Sequence, residues 1–277
     1  MKSIRYIQTL GSFKNYYRSM NEILANAFGK VHMLHYPFYM KDKETLDERQ
    51  NNLIEHCLTY IGDLKGKDLL EVGCGNGLNC HYIDLNYETG DIAGIDLNPA
   101  NLDLAMAQHE NTRITFKQDN AQELTTIPDH SVDVMICIES AFHYPDKNAF
   151  FKQIKRVLHP NGVFLIVDII RSPGESGKSK YRWNERKMFF HANEEEYHQY
   201  SAGNSLVFNN VENITDRIIQ GYEGHMSWVK RGDMNLADFL FMKFFSRLQV
   251  RLNVAELRNQ KQYMLFYGKH ASGPINP

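Results

Sequence analysis

The sequence holds no Cys-x-x-Cys pair and no cysteine–histidine spacing suited to zinc, so no metal centre is expected. Its four cysteines, Cys57, Cys74, Cys80 and Cys137, sit in apolar runs or beside a glycine loop. They read as reduced packing residues of a cytoplasmic protein. No charge of one sign dominates: 31 Lys and Arg stand against 33 Asp and Glu, which removes the electrostatic footprint of a nucleic-acid binder. The opening residues, MKSIRYIQTLGSFKNYY, lack the apolar centre of a secretory leader. No run approaches the roughly 18 apolar residues of a membrane-spanning helix. Internal repeats and low-complexity tracts are missing as well. What remains is a chain of 277 residues, long enough to bury a substantial core.

Two regimes of periodicity divide that chain. Residues 1–62 read as a helical segment and lid: KETLDERQNNLIEHCLTYIGDL places Leu46, Leu53, Ile54, Cys57, Leu58 and Ile61 on one helical stripe, and SMNEILANAFG is a shorter helix stopped by Gly29. The intervening KVHMLHYPFYM is aromatic, broken by Pro37, and reads as loop. From residue 63 to 277, short apolar strands (KDLLEV, DIAGID, RITFKQ, VDVMICI, GVFLIVDII) alternate with helices. This alternation predicts an α/β domain, a mostly parallel sheet with helices on both faces. His159-Pro160-Asn161-Gly162 is expected to turn between a helix and the fifth strand, with Asn161 in the left-handed region. Insertions at about 171–204 and 220–258 are expected to form a cap.

The stretch LLEVGCGNGL, residues 69–78, carries glycines at alternate positions after an apolar run. A strand, a tight glycine turn and a helix present free N–H groups and a helix dipole to an anionic or polar ligand. The third glycine, Gly77, comes one residue earlier than the dinucleotide-binding fingerprint requires. That spacing, preceded by the acid Glu71, resembles the E/D-x-G-x-G-x-G motif of the class I S-adenosylmethionine-dependent methyltransferases. Five further segments resemble that family in the same order: AGIDLNPANL, FKQDNAQEL, IPDHSVDVMICIESAFHYPD, IKRVLHPNGVFLIVD, and the pair NVENIT and QYMLFYGKH. The likeness is strong over about 45–170 and loose over 194–270.

The resemblance implies a Rossmann-like seven-stranded sheet and S-adenosylmethionine as cofactor. It assigns the cofactor to Glu71, Gly73, Cys74, Gly75 and Gly77 at the glycine loop. Asp96 and Leu97 follow the second strand, Asp119, Asn120 and Ala121 belong at the adenine, and Ile138 ends the fourth strand. Whether Asp119 or Asn120 meets the adenine stays open at this stage. For a hydroxyl acceptor, the family pattern makes His143 the general base, a role suited to imidazole at neutral pH, with Asp168 assisting. A rival role falls to Glu139, which in C-methylating relatives stabilises a carbocation, helped by aromatic rings such as Tyr36, Phe38, Phe142, Tyr144 or Trp183. HMLHYPFY resembles a family segment that folds over the cofactor.

Leu236, Leu240, Phe244 and Leu248 recur at i, i+4 along a late helix. Core packing is the first reading of that stripe, with an acceptor-pocket wall or a homo-oligomer interface as alternatives. The sequence thus predicts methyl transfer to a small-molecule acceptor, O-methylation first, then C- or N-methylation. A non-methylating cofactor binder, such as a cyclase or sensor, is the reading from another class.

Overall fold

A computed structural model describes residues 13–108, 113–175, 189–225, 229, 231–232 and 234–271. The strands are β1 (Leu69–Val72), β2 (Ile92–Asp96), β3 (Ile114–Gln118), β4 (Val132–Ile138), β5 (Leu158–Arg171), β6 (Leu206–Asn213) and β7 (Lys261–His270). They form one sheet in the order β3-β2-β1-β4-β5-β7-β6. The first five run parallel, and β7 is antiparallel to both β5 and β6. Strand order reverses between β1 and β4, which opens a crevice at their carboxyl ends.

Around the sheet lie α1 (Phe13–Phe28), α2 (Leu46–Ile61), α3 (Leu78–Asn86), α4 (Pro99–Gln108), α5 (Lys147–Val157), α6 (Glu194–Gly203), α7 (Thr215–Gly221) and α8 (Leu236–Asn259). The central strands are apolar throughout because both faces are covered. Along β4, Val134, Ile136 and Ile138 pack into one buried layer with Leu53, Ile54 and Cys57 of α2. Met135 and Cys137 point the other way, into the layer containing Phe150, Phe151 and Ile154 of α5. The α2 start is fixed by a reciprocal capping box, Thr45 with Glu48. All four cysteines are buried and unpaired. Among the described residues no helix is long and apolar enough to cross a membrane.

Three expectations need correction. β5 starts at Leu158, paired with Val132, earlier than expected, and residues 159–162 interrupt its pairing rather than precede it; Asn161 is not in the left-handed region. These four residues bulge out of β5 opposite Asp133, and regular pairing resumes at Val134 with Val163. Within the proposed cap at 171–204, α6 belongs to the core, since Tyr197 is fully buried and stacks on Phe266 at 4.5 Å. Residues 176–188, Trp183 included, lie outside the described residues. Finally, the late-helix stripe does not pack into the core: Leu236, Leu240, Phe244 and Leu248 on α8 are exposed. Periodicity marks a stripe, but only the tertiary fold decides what lies opposite it.

Candidate active site

A cavity of about 230 Å³ opens where β1, β2 and β4 end. Gly73, with φ 75°, leaves β1 sideways. A Cβ there would lie 1.8 Å from the Ser140 hydroxyl oxygen, so the glycine lets the loop pass close to the segment following β4. Gly75 donates its N–H to the Asp96 carboxylate at 2.9 Å, and Asn98 donates to the same side chain at 2.7 Å. Burial pushes the Asp96 carboxyl up, and these N–H groups only partly offset that.

Of the residues assigned to a cofactor, Gly73, Cys74, Gly75, Asp96, Leu97, Asp119, Asn120, Ala121 and Ile138 line the cavity. Leu97 is 51% exposed yet faces this recess, leaving an apolar surface beside a carboxylate. Asp119 holds the turn that follows β3, accepting from Thr126 at both N–H and hydroxyl and from Asn120 N–H. Burial would raise its carboxyl, but these bonds outweigh it and hold it below the usual range. Asn120 is tied locally too, accepting from the Gln122 N–H at 3.1 Å.

Glu71 and Gly77 stand behind the cavity wall. Glu71 accepts from Asn79 at 2.7 Å and from the Cys80 thiol at 2.8 Å, bracing β1 against α3, and burial raises it to about 7. Gly77, φ 75°, starts α3, and a Cβ there would meet Phe116 and Ala105 at under 3 Å. It lets the helix approach the neighbouring strand and helix.

Sequence reasoning singled out HMLHYPFY but not Tyr17 or Asn21 of α1. Asn76 of the glycine loop donates to Asn21 of α1 at 2.9 Å and to the His32 carbonyl at 2.8 Å. Leu34 and His35 line the cavity beside Tyr17 of α1. His35 is buried with Nδ1 against the Tyr36 carbonyl, 3.1 Å away, the Asn79 side chain beside the ring, and Nε2 without a partner at direct hydrogen-bond distance. A carbonyl only accepts, so the proton is on Nδ1 and Nε2 keeps its lone pair. Burial lowers the ring to about 4, holding it neutral.

The candidate catalytic residues separate by environment. His143 lines the cavity from the turn after β4, and the Tyr17 hydroxyl lies 2.5 Å from its Nε2. Phe142 and Phe189 pack on the same imidazole, at 4.4 and 5.0 Å between ring centres. Glu139 also lines the cavity, in the left-handed conformation at φ 49°, a strained geometry for a side chain with a Cβ. Its Oε1 accepts from the Tyr36 N–H and the Tyr263 hydroxyl, and burial raises it to about 8. Tyr36 stands among Tyr222 and Tyr263, whereas Phe38 is a core residue stacked on His56.

Asp168 does not line the cavity. Fully buried, it accepts from the Phe142 N–H at 3.0 Å and the Tyr197 hydroxyl at 2.5 Å. Its reach toward His143 is therefore through the loop backbone. Burial lifts it to about 6, against the pull of the Lys147 ammonium.

The sheet order, the cavity at its reversal and the glycine loop coincide with a match to a family model: residues 70–166 match the methyltransferase domain. The match covers about a third of the chain, and there the sequence is similar to methyltransferase domains. The chain is 34% identical over 113 residues to a fatty-acid O-methyltransferase of Mycolicibacterium smegmatis, a match spanning 41% of each chain. The matched segment is thus about two fifths of that relative's length. Geranyl diphosphate C-methyltransferase from Streptomyces coelicolor superposes with a TM-score of 0.72 at 16% identity, covering 94% of this chain and 96% of the other. The cyclase SpnF superposes with 0.74 at 15% identity, covering 95% and 98%. The chain therefore shares its architecture with proteins of different activities, and the chemistry rests on its own site.

Proposed function

We propose that the chain transfers a methyl group from S-adenosylmethionine to an oxygen of a small, largely apolar acceptor, with His143 as general base. The observation that carries this reading is the placement of the His143 imidazole in the wall of the same cavity as Gly73, Gly75 and Asp96. The cavity residues fit the cofactor. Asp96 presents a carboxylate suited to ribose hydroxyls, and Leu97 and Ala121 offer apolar surface to an adenine. The neutral His35 leaves an unused acceptor, Nε2, at the glycine-loop end, where an ammonium group would supply protons. When bound, the cofactor would supply an electrophilic methyl on a sulfonium.

The residues of this chain then do three things. Tyr17, Leu34 and His35 cover the cavity and exclude water, which strengthens every polar contact inside. As the acceptor oxygen bonds to the methyl carbon and the bond from that carbon to sulfur breaks, the acceptor's proton would pass to His143 through the Tyr17 hydroxyl held on its Nε2. Phe142 and Phe189 flank that imidazole with apolar surface, suiting an acceptor with a hydrocarbon body. The fatty-acid O-methyltransferase named above is consistent with such an acceptor. Asp168 is a positioning residue here, holding the Phe142 backbone.

A second reading has its own observation. Glu139 keeps a strained backbone and a buried carboxyl group beside Tyr36 and Tyr263, and a cationic intermediate of C-methylation at that point would draw this carboxyl into its ionised form. A methyl-labelled cofactor offered with fatty acids, hydroxylated lipids, amines and prenyl diphosphates separates the readings. Ester or ether products lost in His143→Ala support O-methylation. Products methylated at carbon and lost in Glu139→Gln but not His143→Ala would replace it. Tight cofactor binding with no product from any acceptor would favour a non-methylating role.

A further inference from the structure

The exposed face of α8 is the feature the catalytic site leaves unused. Five large apolar side chains follow one another at i, i+4 along it: Leu236, Leu240, Phe244, Leu248 and Leu252, each 45–66% exposed. Phe241 and Phe245 lie half-buried beside them, their rings 6.4 Å apart. A second row, Lys243, Arg247 and Arg251, climbs the same face about 60° around the helix from the first. Arg247, Arg251 and Arg258 are exposed, and Lys243 lies over the Phe239 ring at 5.0 Å.

The helix's two acids, Asp238 near its start and Glu256 near its end, are half-buried and engaged. Asp238 accepts from its own cap residue Asn235 at 2.9 Å, and Glu256 pairs with Lys261 at 2.8 Å. Over 24 residues, about 36 Å of helix, the exposed positions are leucine, phenylalanine, alanine and arginine, with Gln249 and Asn259 as the uncharged polar ones and Lys243 half-buried at the edge. Its inward face is anchored by Met242 and Leu257, which are buried. It is a fixed element of the fold with a free side.

We propose that this face seats the protein on the anionic surface of a lipid bilayer, with the leucine and phenylalanine row at the acyl boundary and the cations among the headgroups. Charge complementarity selects that occupant. A second copy of the chain meeting the face about a two-fold axis would set the same patch against itself, bringing Lys243, Arg247 and Arg251 toward their own counterparts, while the helix's two acids are already engaged with Asn235 and Lys261. An anionic surface meets all of them favourably and takes up the apolar row as well. The inference concerns the cap and is independent of which acceptor atom is methylated.

Sedimentation of the full chain with extruded vesicles tests it. Vesicles of phosphatidylcholine with about one third phosphatidylglycerol are expected to carry the protein into the pellet, and pure phosphatidylcholine to leave it in solution. Phe244→Asp and the double variant Arg247→Glu/Arg251→Glu, all at exposed positions, are expected to keep the wild-type melting temperature and to weaken sedimentation at least about tenfold. Raised salt should weaken the wild type as well. The proposal is overturned if anionic vesicles do not pellet the protein, or if Phe244→Asp pellets as well as wild type. It is also overturned if light scattering shows a dimer that Phe244→Asp splits, since the face would then be a protein interface.

Discussion

The Tyr17 hydroxyl lies 2.5 Å from His143 Nε2, joining a helix near the start of the chain to the turn after β4 across 126 residues. The nitrogen needed to take a proton is thus held by a residue of the element that covers the site. Tyr17→Phe is expected to lower kcat about tenfold while leaving the KM for S-adenosylmethionine within about twofold. His143→Ala should lower it further, and the double variant should be no worse than His143→Ala, because the two act as a unit. Fully additive losses would separate Tyr17 from the base. Single-turnover rates are the measurement.

His35 gives a prediction about binding. Its Nε2 has no partner at direct hydrogen-bond distance among the described residues, and the ring is neutral. His35→Phe keeps a buried aromatic ring and removes the acceptor. Calorimetric titration is expected to show S-adenosylmethionine bound about tenfold more weakly, equivalent to about 1.4 kcal/mol, with the circular dichroism spectrum unchanged. An unaltered Kd would exclude Nε2 as a contact.

Glu139 gives a prediction about stability with a definite sign. Its carboxyl is raised from 4.5 to about 8 by burial, so between those values the folded state binds more protons than the unfolded one. Stability contributed by this group is full below pH 4.5 and is lost as pH rises through about 8. Glu139→Gln keeps an Oε1 that accepts from both Tyr36 and Tyr263 and removes the buried charge. At pH 9 the variant is expected to melt higher than wild type by at least about 2 °C, with the difference shrinking toward pH 5. A uniformly lower melting temperature would show that the charge is stabilised by the protein. Such a gain at a strained, buried acid would also indicate that the residue serves activity rather than folding.

Two glycines test space against backbone strain. Gly29 has φ 83° and open surroundings, whereas a Cβ at Gly73 meets the Ser140 side chain at 1.8 Å. Gly29→Ala is expected to cost about 1 kcal/mol and to leave cofactor affinity alone. Gly73→Ala should abolish cofactor binding by forcing the loop off Ser140. Equal affinity in the two variants would show that the close approach at Gly73 is not needed. Equilibrium dialysis with labelled cofactor, together with urea melts, distinguishes them.

The sheet was legible because its signal is local. Apolar runs of four to seven residues, alternating with helical stripes, require a parallel sheet with both faces covered, and Pro99 and Gly29 mark helix ends where the structure has them. The cavity floor was legible for a similar reason, since a glycine loop between a strand and a helix announces itself within ten residues. Tyr17 and Asn21 were not, because each acts through a partner more than fifty residues away; His35 falls in the HMLHYPFY segment expected over the cofactor, but its lone pair in the cavity leaves no trace in the local pattern. Asp168 shows the limit from the other side. A strand-end acid can face the site or brace the loop behind it, and only its buried bonds to Phe142 and Tyr197 tell which.

The position of β7 has a bearing on how the chain assembles. This strand is the last of the seven in sequence yet lies inside the sheet, paired along nine positions with β5 and also with β6. Until residues 261–270 have left the ribosome, β5 presents an open edge and β6 has no neighbour to join. The hydrophobic sheet therefore closes late in synthesis, in one step that seats two strands together. A chain stalled just before residue 261 would keep that edge available to any passing strand, making this interval the one in which a nascent chain most needs protection from aggregation.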